Sequence, residues 1–184
     1  MIQLNIIQRA IEFASEAHKK QHRKGTDRPY IVHPMQVLYL LTEMQAPEAI
    51  KVAGVLHDTV EDTEATIEDI EKYFGKEIAG YISFMSDDKS ESWLQRKSRG
   101  IEKTRNASLD LKKLKLADKL SNLMSIVHDY NNVKEDVWAR FSKSKADQKW
   151  YYLGMAEALK ELEFEETSRN LYLEFTSLCY KLFE

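Results

Sequence analysis

The 184-residue sequence predicts an all-α fold, and three observations carry that prediction. Apolar residues recur at three- and four-residue spacing along most of the chain. Only six glycines and three prolines are present, so turn signals are few. No strand-turn-strand cadence interrupts the helical one. A chain of this length buries a sizeable core without staples, so a single compact domain over residues 1–184 is expected.

The helices can be read in order. Ile7, Ala10, Ile11, Ala14 and Ala17 form one stripe of a first helix, with His18 beside its end. Residues 21–30 hold Gly25, Thr26, Asp27 and Pro29 and read as a loop. Pro34 suits the first turn of a second helix carrying Val37, Leu38, Leu41 and Met44, and Pro47 opens a third. That third helix is apolar nearly all round, which marks it as the buried axis. Thr66 and Asp69 resemble a capping box for a short helix that Gly75 ends, and Ile78, Ile82 and Met85 mark the next. Residues 86–92 are polar and read as a mobile loop. The segment 93–105 carries Arg96, Lys97, Arg99, Lys103 and Arg105, which reads as a solvated helical face, with Lys97 a candidate to reach a bound phosphate. Leu111, Leu114, Leu120, Leu123 and Val127 face inward from an amphipathic helix, and two more helices are expected at about 144–161 and 165–183.

Composition narrows the function. Lys and Arg total 27 against 30 Asp and Glu, a net charge of −3, so no global positive field calls for nucleic acid. A lone Cys179 permits no intramolecular disulfide and no thiolate cluster. Residues 1–10 lack the apolar core of a signal peptide, and no stretch approaches the length of a membrane span. A cytoplasmic protein with no membrane or nucleic-acid partner is expected. Its oligomeric state is not encoded legibly.

The densest chemistry lies in Gly54-Val55-Leu56-His57-Asp58-Thr59-Val60-Glu61-Asp62-Thr63. An apolar run here leads into four ionisable groups within six positions, which is costly unless the charges are paired or used. On a continuous helix His57 lies above Glu61 and Asp58 above Asp62, so two ligands would sit one turn before two overhanging carboxylates. Asp118 shares a stripe with Lys115 and Asn122 between inward leucines. Alone it reads as an aspartate ion-paired by Lys115 or Lys119. His33, between apolar residues at a helix start, alone reads as a hydrogen-bonded core histidine. Together, two imidazoles and two carboxylates suit one divalent ion, Mn, Fe or Zn, better than Ca.

These residues also stand in the order and context of the HD superfamily of metal-dependent phosphohydrolases. Gln21-His22-Arg23-Lys24, Pro29-Tyr30-Ile31-Val32-His33-Pro34, the segment ending in His57-Asp58-Thr59-Val60-Glu61-Asp62-Thr63, and Lys115-Leu116-Ala117-Asp118-Lys119-Leu120-Ser121-Asn122-Leu123 resemble the hydrolase domain of RelA/SpoT proteins. The likeness is greatest to the short stand-alone forms of the metazoan SpoT homologue type. It implies an HD-type helical bundle and a manganese-dependent hydrolase that removes pyrophosphate from the 3′ position of guanosine alarmones such as ppGpp. Carried over by position, His33, His57, Asp58 and Asp118 match the metal ligands, and Glu61 and Asp62 the acidic pair acting on the nucleophilic water. Arg23 and Lys24 match a basic pair beside the substrate, and Asn122 a site asparagine. The pattern departs at Met124, where alarmone hydrolases carry Arg, and along 131–152. Those departures leave two alternatives: an HD-type hydrolase of another nucleotide (NADPH or a nucleoside phosphate), and a nucleotide-binding regulator without turnover.

Overall fold

The computed structural model describes residues 4–183, and its regular elements there are helices. Cα packing divides the chain into two compact units, residues 1–87 and 88–184.

The first unit holds α1 (Ile6–Ala17), α2 (Val32–Glu43), α3 (Glu48–Leu56), α4 (Thr59–Asp62), α5 (Ile67–Phe74) and α6 (Lys76–Met85). Asn5 opens α1 with a full capping box: the Asn5 side chain accepts from the Gln8 amide while the Gln8 side chain accepts from the Asn5 amide. Thr66 and Asp69 form the expected box at α5. Gly75 ends α5 at φ +92°, a backbone state that favours glycine, and its turn admits α6 immediately. The axis of the unit is α3, against which α1, α2 and α6 all pack. Val52, Val55 and Leu56 of α3 are fully buried with Ala10, Ala14, Ile70 and Ile82 in one cluster. The nearly all-apolar face expected of this helix is thus its packing surface.

The expected continuous helix through the His-Asp doublet is corrected: α3 stops at Leu56, and α4 resumes at Thr59. The physical reason lies in competing side chains. His57 Nδ1 donates to the Gly54 carbonyl at 2.9 Å and the Thr59 hydroxyl to the Leu56 carbonyl at 2.7 Å. Both oxygens are ones that an unbroken helix would engage through backbone amides.

The second unit holds α7 (Trp93–Arg105), α8 (Leu109–Val133), α9 (Lys145–Ala158) and α10 (Arg169–Phe183), with 3₁₀ turns at Lys134–Arg140 and Lys160–Phe164. Ser92, Ser108 and Ser144 cap α7, α8 and α9 by accepting a backbone amide. Helix α8 packs on α10, and α7 on α9. Leu114, Leu120 and Leu123 of α8 are fully buried as expected, and so are Met155 of α9 and Phe175 of α10. Tyr151 and Tyr152 join this core, whereas Trp150 keeps 42 % of its surface in solvent. Among the described residues no helix is long and apolar enough to cross a membrane.

Candidate metal centre and active site

Three of the expected ligands converge in the first unit. His33 enters from the first turn of α2, His57 and Asp58 from the break between α3 and α4. Nε2 of His33 lies 3.2 Å from Nε2 of His57, and Asp58 Oδ2 lies 3.5 Å and 3.0 Å from these two nitrogens. Both imidazoles are 2 % exposed. Because His57 Nδ1 carries the proton given to the Gly54 carbonyl, a neutral ring turns the lone pair of Nε2 inward. Two imidazole nitrogens and one carboxylate oxygen therefore face one point. That donor set suits a divalent cation.

Burial alone would push the Asp58 carboxyl up; when His57 and His33 carry protons, their charge and hydrogen bonds outweigh it and hold the group well below the usual carboxylate range, and a divalent cation between neutral rings would act in the same direction. Tyr30 donates to Asp58 Oδ2 at 2.6 Å and lies 3.3 Å from Asp62 Oδ2. Its burial, followed by the charge of Asp58, raises its pKa and keeps the phenol protonated as a donor.

Around the triad, residues 21–30 form a tight return rather than a loose loop. His22 bridges Pro29, the Arg23 amide donates to the Arg28 carbonyl at 2.8 Å, and the Tyr30 amide to the Gln21 carbonyl at 2.9 Å. Gly25, at φ +72°, supplies the turn that brings the Thr26 amide to the Arg23 carbonyl. The return places the Arg23 guanidinium 5.5 Å from the centre of the Tyr30 ring, so Arg23 stands beside the residue that bonds Asp58. Lys24 is exposed at the turn. Asp62 is exposed and Glu61 half-buried on α4. The Asp62 amide still donates to the Asp58 carbonyl at 2.9 Å, so the one-turn relation expected between these two survives the helix break.

His18 and Gln21 back this arrangement. His18 is 2 % exposed and stacks on Tyr30 with ring centroids 4.6 Å apart. Its Nδ1 is hydrogen-bonded to Gln21 Oε1, and Gln21 Nε2 donates to the Asp62 carbonyl at 2.9 Å. Sequence spacing assigns no role to Tyr30 or Gln21, because Tyr30 reaches the Asp58 carboxylate across 28 positions and Gln21 the Asp62 backbone carbonyl across 41. A tyrosine three residues before His33, on a chain section made rigid by Pro29 and Pro34, is the one signal that marks it in advance.

The remaining expected site residues lie in the second unit. Asp118 is 4 % exposed on α8, where Lys119 Nζ lies 2.9 Å from Oδ2 and the Asn122 side chain donates to Oδ1 at 2.7 Å. Of the two lysines expected as ion-pair partners, Lys119 thus lies on the Asp118 carboxylate, and Asn122, which shares its stripe, is hydrogen-bonded to it. Burial would lower the Lys119 pKa, but Asp118 and then Tyr151 outweigh it and raise it, so the ammonium is kept. Lys97 of α7 and Lys119 stand 5.3 Å and 5.6 Å from the Tyr151 ring centre, giving this unit a face where aromatic surface meets two cations.

The relatives fit this chemistry. The HD-domain family profile matches residues 10–146. The mouse (Mus musculus) protein MESH1, a guanosine-3′,5′-bis(diphosphate) 3′-pyrophosphohydrolase, is 34 % identical over 173 residues, 90 % of this chain and 92 % of that protein. A solved structure of a metazoan SpoT orthologue that hydrolyses ppGpp superimposes with a TM-score of 0.78 at 27 % identity, covering 98 % of this chain and 97 % of the other. The crystal structure of lmo0812 from Listeria monocytogenes EGD-e gives a TM-score of 0.75 at 34 % identity, covering 82 % of this chain and 98 % of that one. Two buried histidines and a half-buried aspartate on a helical frame, with the family profile over residues 10–146 and a 34 % identical pyrophosphohydrolase over 90 % of the chain, place the chain in the HD-domain family, among its metal-dependent phosphohydrolases.

Proposed function

We propose that the chain is a ppGpp 3′-pyrophosphohydrolase that uses one divalent ion, manganese first among the candidates, held by His33, His57, Asp58 and Asp118. The observation that carries this reading is the meeting of His33 Nε2, His57 Nε2 and Asp58 Oδ2 within 3.5 Å of one another. Asp118 is the fourth ligand in this reading, and its support is its burial as a carboxylate within a segment, 115–123, that resembles the RelA/SpoT hydrolase motif. The family profile crosses the boundary between the two units, which supports one catalytic domain built from both.

A divalent ion held by these residues would supply a water with its pKa lowered towards about 7 and a polarised phosphoryl oxygen. The chain's own residues do the rest. Glu61 and Asp62, one turn past the doublet, orient the attacking water and accept its proton as it adds to phosphorus. The bond that breaks joins the 3′ oxygen of the nucleoside to the phosphorus under attack: pyrophosphate keeps the water's oxygen, and the 3′ oxygen leaves as a hydroxyl, taking up the proton that the carboxylate received. Arg23 and Lys24 neutralise charge on the diphosphate as this bond breaks, the planar guanidinium of Arg23 matching two phosphate oxygens at once. Asn122 and Lys97 contact the nucleotide. The protein works in the cytoplasm on a small nucleotide, without nucleic acid.

Met124 and residues 131–152, which depart from the alarmone pattern, favour one second reading: the same reaction type on another nucleotide, NADPH or a nucleoside phosphate. Purified protein with Mn is to be assayed against ppGpp, pppGpp, NADPH and mononucleotides. Release of pyrophosphate from ppGpp is expected; no turnover of ppGpp at micromolar enzyme removes the first reading, and turnover of NADPH alone establishes the second. A regulator without turnover is disfavoured, since every expected ligand and both acidic residues are present.

A further inference from the structure

We propose that Tyr30 is a positioning residue whose hydroxyl holds the Asp58 and Asp62 carboxylates at one fixed spacing, through its 2.6 Å bond to Asp58 Oδ2 and its 3.3 Å approach to Asp62 Oδ2. This rests on the reading above, in which Asp58 is a metal ligand and Asp62 handles the water.

The argument starts from what else could fix Asp58. It opens α4 without accepting a capping hydrogen bond, so the helix end does not orient its side chain. Its remaining partners among the described residues are His33 and His57, which share the same oxygen and are themselves expected ligands. Among the described residues, Tyr30 is the one donor on Asp58 that does not belong to the ligand set. The Asp58 side chain is 19 % exposed, so without that donor the carboxylate can turn towards water. A hydroxyl carries one proton, and the shorter contact assigns it to Asp58; Asp62 then lies against the same oxygen at the edge of hydrogen-bond range. The tyrosine thus links the residue that grips the ion to the residue that takes the water's proton.

The ring and the hydroxyl have separable jobs. The ring is seated by His18, stacked at 4.6 Å, by the edge of His33 at 6.1 Å, and by the Arg23 guanidinium at 5.5 Å. Phenylalanine keeps all three contacts and loses only the reach to the carboxylates. Groups that orient metal ligands in this way typically change metal affinity or activity by about 10- to 100-fold when removed.

The test compares wild type, Tyr30→Phe, and a variant with 4-aminophenylalanine at position 30, which restores an N–H donor at the ring tip. Chelator-stripped proteins are titrated with Mn(II), free ion being followed by electron paramagnetic resonance, and kcat and KM are then measured at saturating Mn. Tyr30→Phe is expected to weaken Mn binding by about 10-fold and to lower kcat by about 10-fold with KM within two-fold, and the amino variant to recover most of both. Mn affinity or kcat within two-fold of wild type in Tyr30→Phe overturns the proposal, and so do equal losses in the two variants. If Tyr30→Phe fails to fold, the amino variant is set against 4-methylphenylalanine, equal in size but without a donor, and the same criteria apply. Failure of wild type itself to bind Mn would instead strike the metal-site reading.

Discussion

Replacing Glu165 by glutamine tests the electrostatics of the second unit in a way that pH can resolve. Glu165 Oε1 is 3.1 Å from Lys113 Nζ, Oε2 accepts from the Ser168 amide at 2.7 Å, and the Thr167 hydroxyl lies within 2.9 Å of both oxygens. Burial pushes the Glu165 carboxyl up, but the donors from Ser168, Thr167 and Lys113 prevail and bring it from its ordinary 4.5 down to about 2. At face value that displacement carries roughly 3 kcal/mol. The Glu165 side chain keeps 23 % exposure, and screening by water reduces the figure to about 1–2 kcal/mol. The folded-state value is depressed, so the stabilisation is present in full above 4.5 and is lost as pH falls towards about 2. Glu165→Gln keeps an acceptor for Ser168 yet removes the negative charge 3.1 Å from the Lys113 ammonium, whose side chain is 10 % exposed. Thermal melts followed by circular dichroism should place the variant about 2–8 °C below wild type at pH 7, with the gap closing between pH 4.5 and pH 2. A gap that stays constant down to pH 2.5, or no gap at pH 7, refutes the reasoning.

Three further outcomes are expected. Asp62→Asn should lower kcat by at least about 100-fold while nucleotide affinity, measured by calorimetry with Mn present, stays within a few-fold; unchanged turnover would remove Asp62 from the chemistry. A Cβ at Gly154 would stand 2.7 Å from Cδ1 of Ile101, the movable end of that side chain. Gly154→Ala should therefore stay within about 1 kcal/mol of wild type, the helical gain over glycine offsetting the shift of Ile101. Gly154→Val should cost about 1–3 kcal/mol by denaturant titration, and a neutral valine would show that Ile101 has unfilled room.

The helices were legible because their signals are local. The stripe from Ile7 to Ala17, the box of Thr66 and Asp69, and the stop at Gly75 all act within one or two turns. The His57-Asp58 doublet was legible as chemistry because buried charge needs a partner, wherever that partner comes from. Its backbone was not. An apolar run followed by helix-compatible residues reads as one helix, and only the side-chain bonds from His57 and Thr59 onto the preceding carbonyls, which no periodicity reports, divide it in two. The 21–30 return was recognisable as irregular from Gly25 and Pro29, but its tightness depends on backbone pairing across His22 and Pro29. Tyr30 and Gln21 escaped notice for a similar reason: their partners Asp58 and Asp62 are distant in sequence and become neighbours through the packing of α1 and α2 on α3. Lys119 and Asp118, adjacent in sequence, needed no fold to be paired.

The most direct test of the central claim is an anomalous-scattering map from crystals of the protein grown with Mn(II). One strong peak is predicted at bonding distance, roughly 2.0–2.3 Å, from His33 Nε2, His57 Nε2 and Asp58 Oδ2, with a carboxylate oxygen of Asp118 completing the protein ligands. A peak elsewhere, or a filled site from which Asp118 stands about a nanometre away, would contradict the account.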